Sequence, residues 1–111
     1  MSGLWSKKFR KVNEIMFCYK LHKTQFGNLI AICDIDLNGK TLDNNGVEFF
    51  INPRFYCDKT AKEDILGIIS KSNDGNVIGN KIVNLLLESK VISNDSIILI
   101  DNVKHAQFTI L

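Results

Sequence analysis

The sequence has no C-x-x-C pair, no long apolar run and no strong excess of one charge over most of its length. Its three cysteines, Cys18, Cys33 and Cys57, are 15 and 24 residues apart. That spacing excludes a zinc knuckle and a thioredoxin-type motif, and it predicts free, buried thiols in a reducing compartment. The longest apolar stretch, Leu29 to Cys33, is far below the ~20 residues of a membrane span, and none follows the early lysines as a secretory leader requires. A cytoplasmic protein is expected. Disorder and fibre formation are excluded by 45% hydrophobic and 23% charged residues among 111, which suit one globular domain.

Charge is uneven. Residues 1–15 carry Lys7, Lys8, Arg10 and Lys11 against Glu14, whereas residues 16–111 sum to one net negative charge. Trp5, Phe9, Val12 and Met16 recur at helical spacing in the first segment. A basic amphipathic arm of this kind can lie on RNA, on a membrane surface or in a partner groove; the alternative is a mobile tail preceding a start at Met16. The reading is therefore a basic extension, 1–15, followed by a single domain, 16–111.

Alternating residues predict strands from Met16 to Leu21, Asn28 to Asp34 and Val47 to Ile51, the last ended by Pro53. Thr60-Ala61-Lys62-Glu63 has capping-box spacing and predicts a helix from about Ala61 to Ser70. A longer helix is expected from about Asn76 to Lys90, with Ile78, Ile82, Leu85 and Leu86 as its stripe. Strands at Ser96–Ile100 and His105–Ile110 close the chain. The order β-β-β-α-α-β-β predicts an α+β fold, a small antiparallel or mixed sheet covered on one face by two helices.

Several residues carry candidate chemistry. Gly39-Lys40-Thr41 ends like a phosphate loop, but the glycine required five positions before Gly39 is Asp34, so no nucleotide P-loop is expected. Lys40 and Thr41 remain candidates for a single phosphate contact, against a plain solvated turn. Asn76, Gly79, Asn80 and Lys81 are expected to form a helix start whose free N–H groups hold an RNA phosphate or small anion. The competing reading is capping and close packing. His105 and Gln107, two apart on a strand, share a face suited to base or backbone recognition, with Lys104 beside them. Asp34 with Asp36 lacks the further carboxylates of a cation site, and nothing in the sequence joins Cys57 to His105 as nucleophile and base. No metal or cofactor is expected. Tyr19, Phe49, Phe50, Phe55, Tyr56 and Phe108 offer stacking surfaces where they face outward.

Asn76-Val77-Ile78-Gly79-Asn80, the closing Asn102-Val103-Lys104-His105-Ala106-Gln107, Gly39-Lys40-Thr41 and Phe55-Tyr56 together resemble the archaeal family called domain of unknown function 424. The resemblance covers about residues 16–110. It departs at Lys104, where the family has proline, and at Gly75, where it usually has alanine. It implies an α+β fold, a conserved archaeal protein and a lean towards RNA binding around translation. The leading expectation is a non-enzymatic RNA-binding or ribosome-associated accessory protein. The alternatives are a protein-interaction module docking through its first segment, and a small enzyme with an acid/base histidine.

Overall fold

The computed structural model describes residues 15–62 and 64–110. Strand β1 (Phe17–Thr24) and strand β2 (Gly27–Asp34) form an antiparallel hairpin with Phe17 opposite Asp34 and Thr24 opposite Gly27. Both strands run further than the alternation suggests. The turn between them is Gln25-Phe26, which the Thr24 hydroxyl closes: Oγ1 accepts from Phe26 N–H at 3.1 Å and donates to Gly27 O at 2.8 Å.

The segment expected as one strand after Gly39 is a hairpin of its own, β3 (Thr41–Asn44) and β4 (Val47–Phe50). Pro53 does more than end a strand. It opens helix α1 (Pro53–Tyr56), whose first turn is capped by Asn52 Oδ1 accepting from Arg54 N–H at 3.0 Å. Thr60 is not a helix cap. It lies on strand β5 (Lys59–Ala61), paired with Cys18 of β1. Glu63, the other half of the expected capping box, falls outside the described residues. Helix α2 is correspondingly short, Ile65–Ile69.

The largest correction concerns Asn76. It does not open a helix; it lies on strand β6 (Asp74–Ile78), which runs parallel to β2 with Asn76 beside Ala31. A short apolar run such as Val77-Ile78 does not by its periodicity distinguish a buried strand from the first turn of a helix. The β-branched Val77 and Ile78, both fully buried, favour the pleated surface. Helix α3 begins only at Asn80 and ends at Glu88. Gly79 at the junction has φ +132°, a backbone conformation that favours glycine. Strands β7 (Ile97–Ile100) and β8 (Val103–Thr109) follow, joined by the two-residue turn Asp101-Asn102.

Six strands form one mixed sheet in the order β5-β1-β2-β6-β8-β7, and β3-β4 form a second. The fold is α+β. One face of the large sheet (Phe17, Ile30, Ile32, Val77, Ala106) packs on Ile65, Ile69, Ile82, Val83 and Leu86 of α2 and α3. The other face is covered as well, contrary to expectation. Cys18, Ala31, Cys33 and Ile78 pack against Leu42, Ile51 and Tyr56 from the hairpin and α1. Each fully buried aliphatic side chain contributes roughly 1.5–3 kcal/mol, so two layers of them hold the sheet from both sides. Cys18 and Cys57 are joined as a disulfide, with Cα atoms 4.7 Å apart; only Cys33 is a free, buried thiol among the three. The expectation of three free thiols is thus corrected, and with it the argument that cysteine usage points to a reducing compartment. No helix among the described residues is long and apolar enough to cross a membrane.

Candidate ligand cleft

The residues singled out from the sequence separate into three places. Lys40 and Thr41 lie at the base of the small hairpin, where the backbone of Lys40 bonds Leu37 and Ile51. Gly79, Asn80, Lys81 and Lys104 gather at the start of α3. Asn76, His105 and Gln107 gather on the opposite face of the sheet. Lys7, Lys8, Arg10 and Lys11 lie outside the described residues.

The helix start is filled by the chain itself. The Asp34 carboxylate, only 4% exposed, accepts from the backbone N–H of Lys81 (3.0 Å) and of Ile82 (2.9 Å). A Cβ at position 79 would run into this carboxylate, so Gly79 makes room for the cap. Burial raises the Asp34 pKa above the ordinary carboxylate value, and the two backbone bonds only partly oppose that rise. Asn80 Oδ1 accepts from Lys104 N–H, Gly79 N–H donates to Lys104 O, and Lys104 Nζ donates to Asn84 Oδ1, each at 2.9 Å. These groups stitch α3 to β8. The dipole end expected to hold a phosphate already faces a carboxylate, and the lysine beside it is engaged.

The other cluster is built differently. Asn76 of β6 sits between Ala31 of β2 and Gln107 of β8, its direct cross-strand partners. Its Oδ1 accepts from the Tyr56 hydroxyl at 2.7 Å and bonds His105 Nε2 at 3.1 Å. An amide oxygen only accepts, so in this arrangement the His105 ring carries its proton on Nε2. Burial, with 7% of the residue exposed, holds the His105 pKa below its ordinary value and keeps the ring neutral. Burial also pushes the Tyr56 hydroxyl up to about 12, with Cys33 adding to it, so it stays a donor across the physiological range. Phe49 packs its ring edge-on to His105 at 6.0 Å. An acid/base role for His105 loses its geometry here, because the ring is buried and its Nε2 is committed to Asn76. Cys57, once its conceivable partner, is bonded to Cys18.

With its oxygen held by two donors, Asn76 has a fixed amide orientation. Among the described residues nothing accepts from its Nδ2. Asn76 and Gln107 both line a cleft of about 880 Å³ at the end of the sheet, where β8 extends beyond β7. Asp74, Lys90, Ser93, Ser96 and Thr109 add polar lining beside the two amides, and Leu29, Gly75, Val91, Ile92 and Phe108 complete it. The cleft therefore offers amides and hydroxyls, one cation and one carboxylate, the latter bonded by Thr109 Oγ1 at 2.9 Å. Among the described residues no three His, Cys, Asp or Glu side chains are grouped to hold a metal ion.

Tyr56 was visible in the sequence only as a ring. Nothing local signals that its hydroxyl reaches an asparagine 20 residues away on a central strand. Asp34, weighed as a cation ligand, is a helix cap for residues 47 and 48 positions later.

This fold is that of a small α+β protein whose mixed sheet is clothed on both sides. The chain belongs to the DUF424 family, described as a protein of unknown function, whose profile matches residues 22–111. It is similar in structure to an uncharacterized conserved protein from Methanopyrus kandleri, known from a crystal structure. The two share 23% sequence identity and a TM-score of 0.71, over 86% of this chain and 92% of that one. No curated protein matches the sequence.

Proposed function

We propose that the protein is a non-enzymatic RNA-binding accessory protein of archaeal type, acting around the ribosome, that takes an unpaired base into the cleft beside Asn76 and Gln107. The observation that carries this reading is the pair of amides opposite each other on β6 and β8, one of them locked by Tyr56 and His105. The Gln107 amide presents a donor and an acceptor in one plane, matching the edge of a base, and Asn76, its oxygen already held by two donors, adds its N–H groups. Unpaired bases expose those edges, whereas duplex RNA hides them. A near-neutral body and a capped helix start leave few phosphate contacts, so binding by residues 16–111 is weak and only shallowly salt-dependent. The basic segment 1–15, outside the described residues, supplies the electrostatic part, and removing it lowers both affinity and salt slope.

The test is titration of fluorescent single-stranded and duplex oligoribonucleotides with wild-type protein and Gln107→Ala. Single strands should bind better than duplex, and the substitution should weaken single-strand binding by roughly 5- to 150-fold, the ~1–3 kcal/mol of an amide–base pair. Equal binding of both nucleic acids, no binding at all, or an unaffected Gln107→Ala variant overturns the reading.

A further inference from the structure

The two edges of the large sheet are treated differently. At one edge, β5 is three residues long and carries Lys59, with Lys62 just beyond it. Short, lysine-bearing edges resist pairing with other chains. At the other edge, β7 reads Ile97-Ile98-Leu99-Ile100 with no charge and no proline. Ile98 and Leu99 point to opposite faces of the sheet and are each 58% exposed. The hairpin reaches this edge too: Asn44 Oδ1 accepts from Asp101 N–H at 3.2 Å, and its partner Val47 adds another exposed apolar side chain.

The ladder fixes which main-chain groups look outward. Ile100 and Val103 flank a two-residue turn in which Asp101 and Asn102 both have positive φ (52° and 63°), so they exchange hydrogen bonds with each other. Alternation then gives the same inward role to Ile98 opposite His105. The N–H and C=O groups of Ile97 and Leu99 face away from β8, with no strand beyond them among the described residues.

We propose that β7 is a dimerisation edge, occupied by β7 of a second copy of this chain in antiparallel, two-fold pairing centred on Ile98. In this register Ile97 of one copy lies opposite Leu99 of the other. Their four outward N–H and four outward C=O groups, counted over both copies, become four hydrogen bonds. Ile98 stacks on its own symmetry mate on one face, and Ile97 meets Leu99 on the other. No charged side chain lies within the paired strands themselves. The occupant must be apolar on both faces over only four positions, and β7 itself meets that requirement. This edge is short, so the association is concentration-dependent rather than obligate.

Sedimentation velocity of RNA-free, full-length protein over a wide concentration range tests the proposal. The wild type should shift towards twice the monomer mass as concentration rises. Ile98→Lys, which sets two ammonium groups against each other at the centre, should remain monomeric with an unchanged circular dichroism spectrum. Under mild oxidation Ile98→Cys should form a covalent dimer and Leu99→Cys should not, because only position 98 faces itself. A wild type that stays monomeric, a dimer that survives Ile98→Lys, or cross-linking through position 99 in place of 98 overturns it. RNA binding at the cleft is measured separately and stands or falls without affecting this outcome.

Discussion

Asp34 illustrates how one side chain decides what a local motif can do. A carboxylate that accepts from two N–H groups at the start of α3 satisfies backbone donors that have no partner within the helix. Its raised pKa records that burial costs it more than those bonds return as a charge. Removing it relieves that cost but leaves Ile82 N–H buried and unpaired, and the second effect is larger. Asp34→Ala should therefore lower stability by about 1–2 kcal/mol, read as a lower urea midpoint at unchanged slope, with Asp34→Asn losing less. His105 gives a second expectation at this scale. Its folded-state pKa lies below the ordinary 6.5, so below that pH the unfolded chain takes up the proton more readily. The histidine's contribution is complete above pH 6.5 and is lost as pH falls towards the folded-state value. The stability difference between wild type and His105→Gln should be constant at neutral pH and shrink on acidification. Using the difference cancels the titration of Asp34, which runs the other way, since a raised carboxyl pKa costs stability as pH rises past its ordinary value.

Elements whose determinants are local were legible. The strands of the β1–β2 hairpin and the apolar stripe of α3 from Ile82 onward follow from alternation and helical spacing. Elements made by distant partners were not. Strand β5 exists because Lys59–Ala61 finds the free side of β1, and β6 exists because β2 and β8 flank it. Of the candidate site, His105 and Gln107 on one face were readable from an i, i+2 spacing. Their meeting with Asn76 and Tyr56 depends on strand order, which no spacing carries. Gly75 shows the same dependence. It looks like a turn glycine, yet it lies within β6 directly opposite Phe108, whose ring covers it so closely that a Cβ would collide with it. Gly75→Ala should displace that ring, cost about 1–3 kcal/mol as overpacking does, and reshape the cleft that Phe108 lines. Thermal unfolding measures the first effect; the oligoribonucleotide titration that tests the proposed function, repeated on a still-folded Gly75→Ala protein, measures the second.

The molecule as a whole is a sheet held between two dissimilar covers. One is a pair of helices packed by aliphatic side chains; the other is a small hairpin and one helical turn whose core is thinner and partly polar. The thinner side is where the Cys18–Cys57 link lies, tying the end of α1 to β1 across 39 residues of sequence. Closing a loop of that length restricts the unfolded chain by roughly 4 kcal/mol in the chain-entropy treatment, with measured values often nearer 2–4. The third thiol does not compete for the link. Cys33, although directly opposite Cys18 on β2, is fully buried and is pushed up to about 12, mainly by burial and further by Asp34 and Asp36, so almost none of it is thiolate at neutral pH. Reductant should therefore lower the urea midpoint of the wild type to that of Cys57→Ser, and leave Cys57→Ser unchanged. In the reduced, folded protein an alkylating reagent should modify Cys57 first and reach Cys33 only when the sheet unfolds, as peptide mass mapping would report. Modification of Cys33 under native conditions would mean that the hairpin cover opens as a unit, leaving the helical side intact.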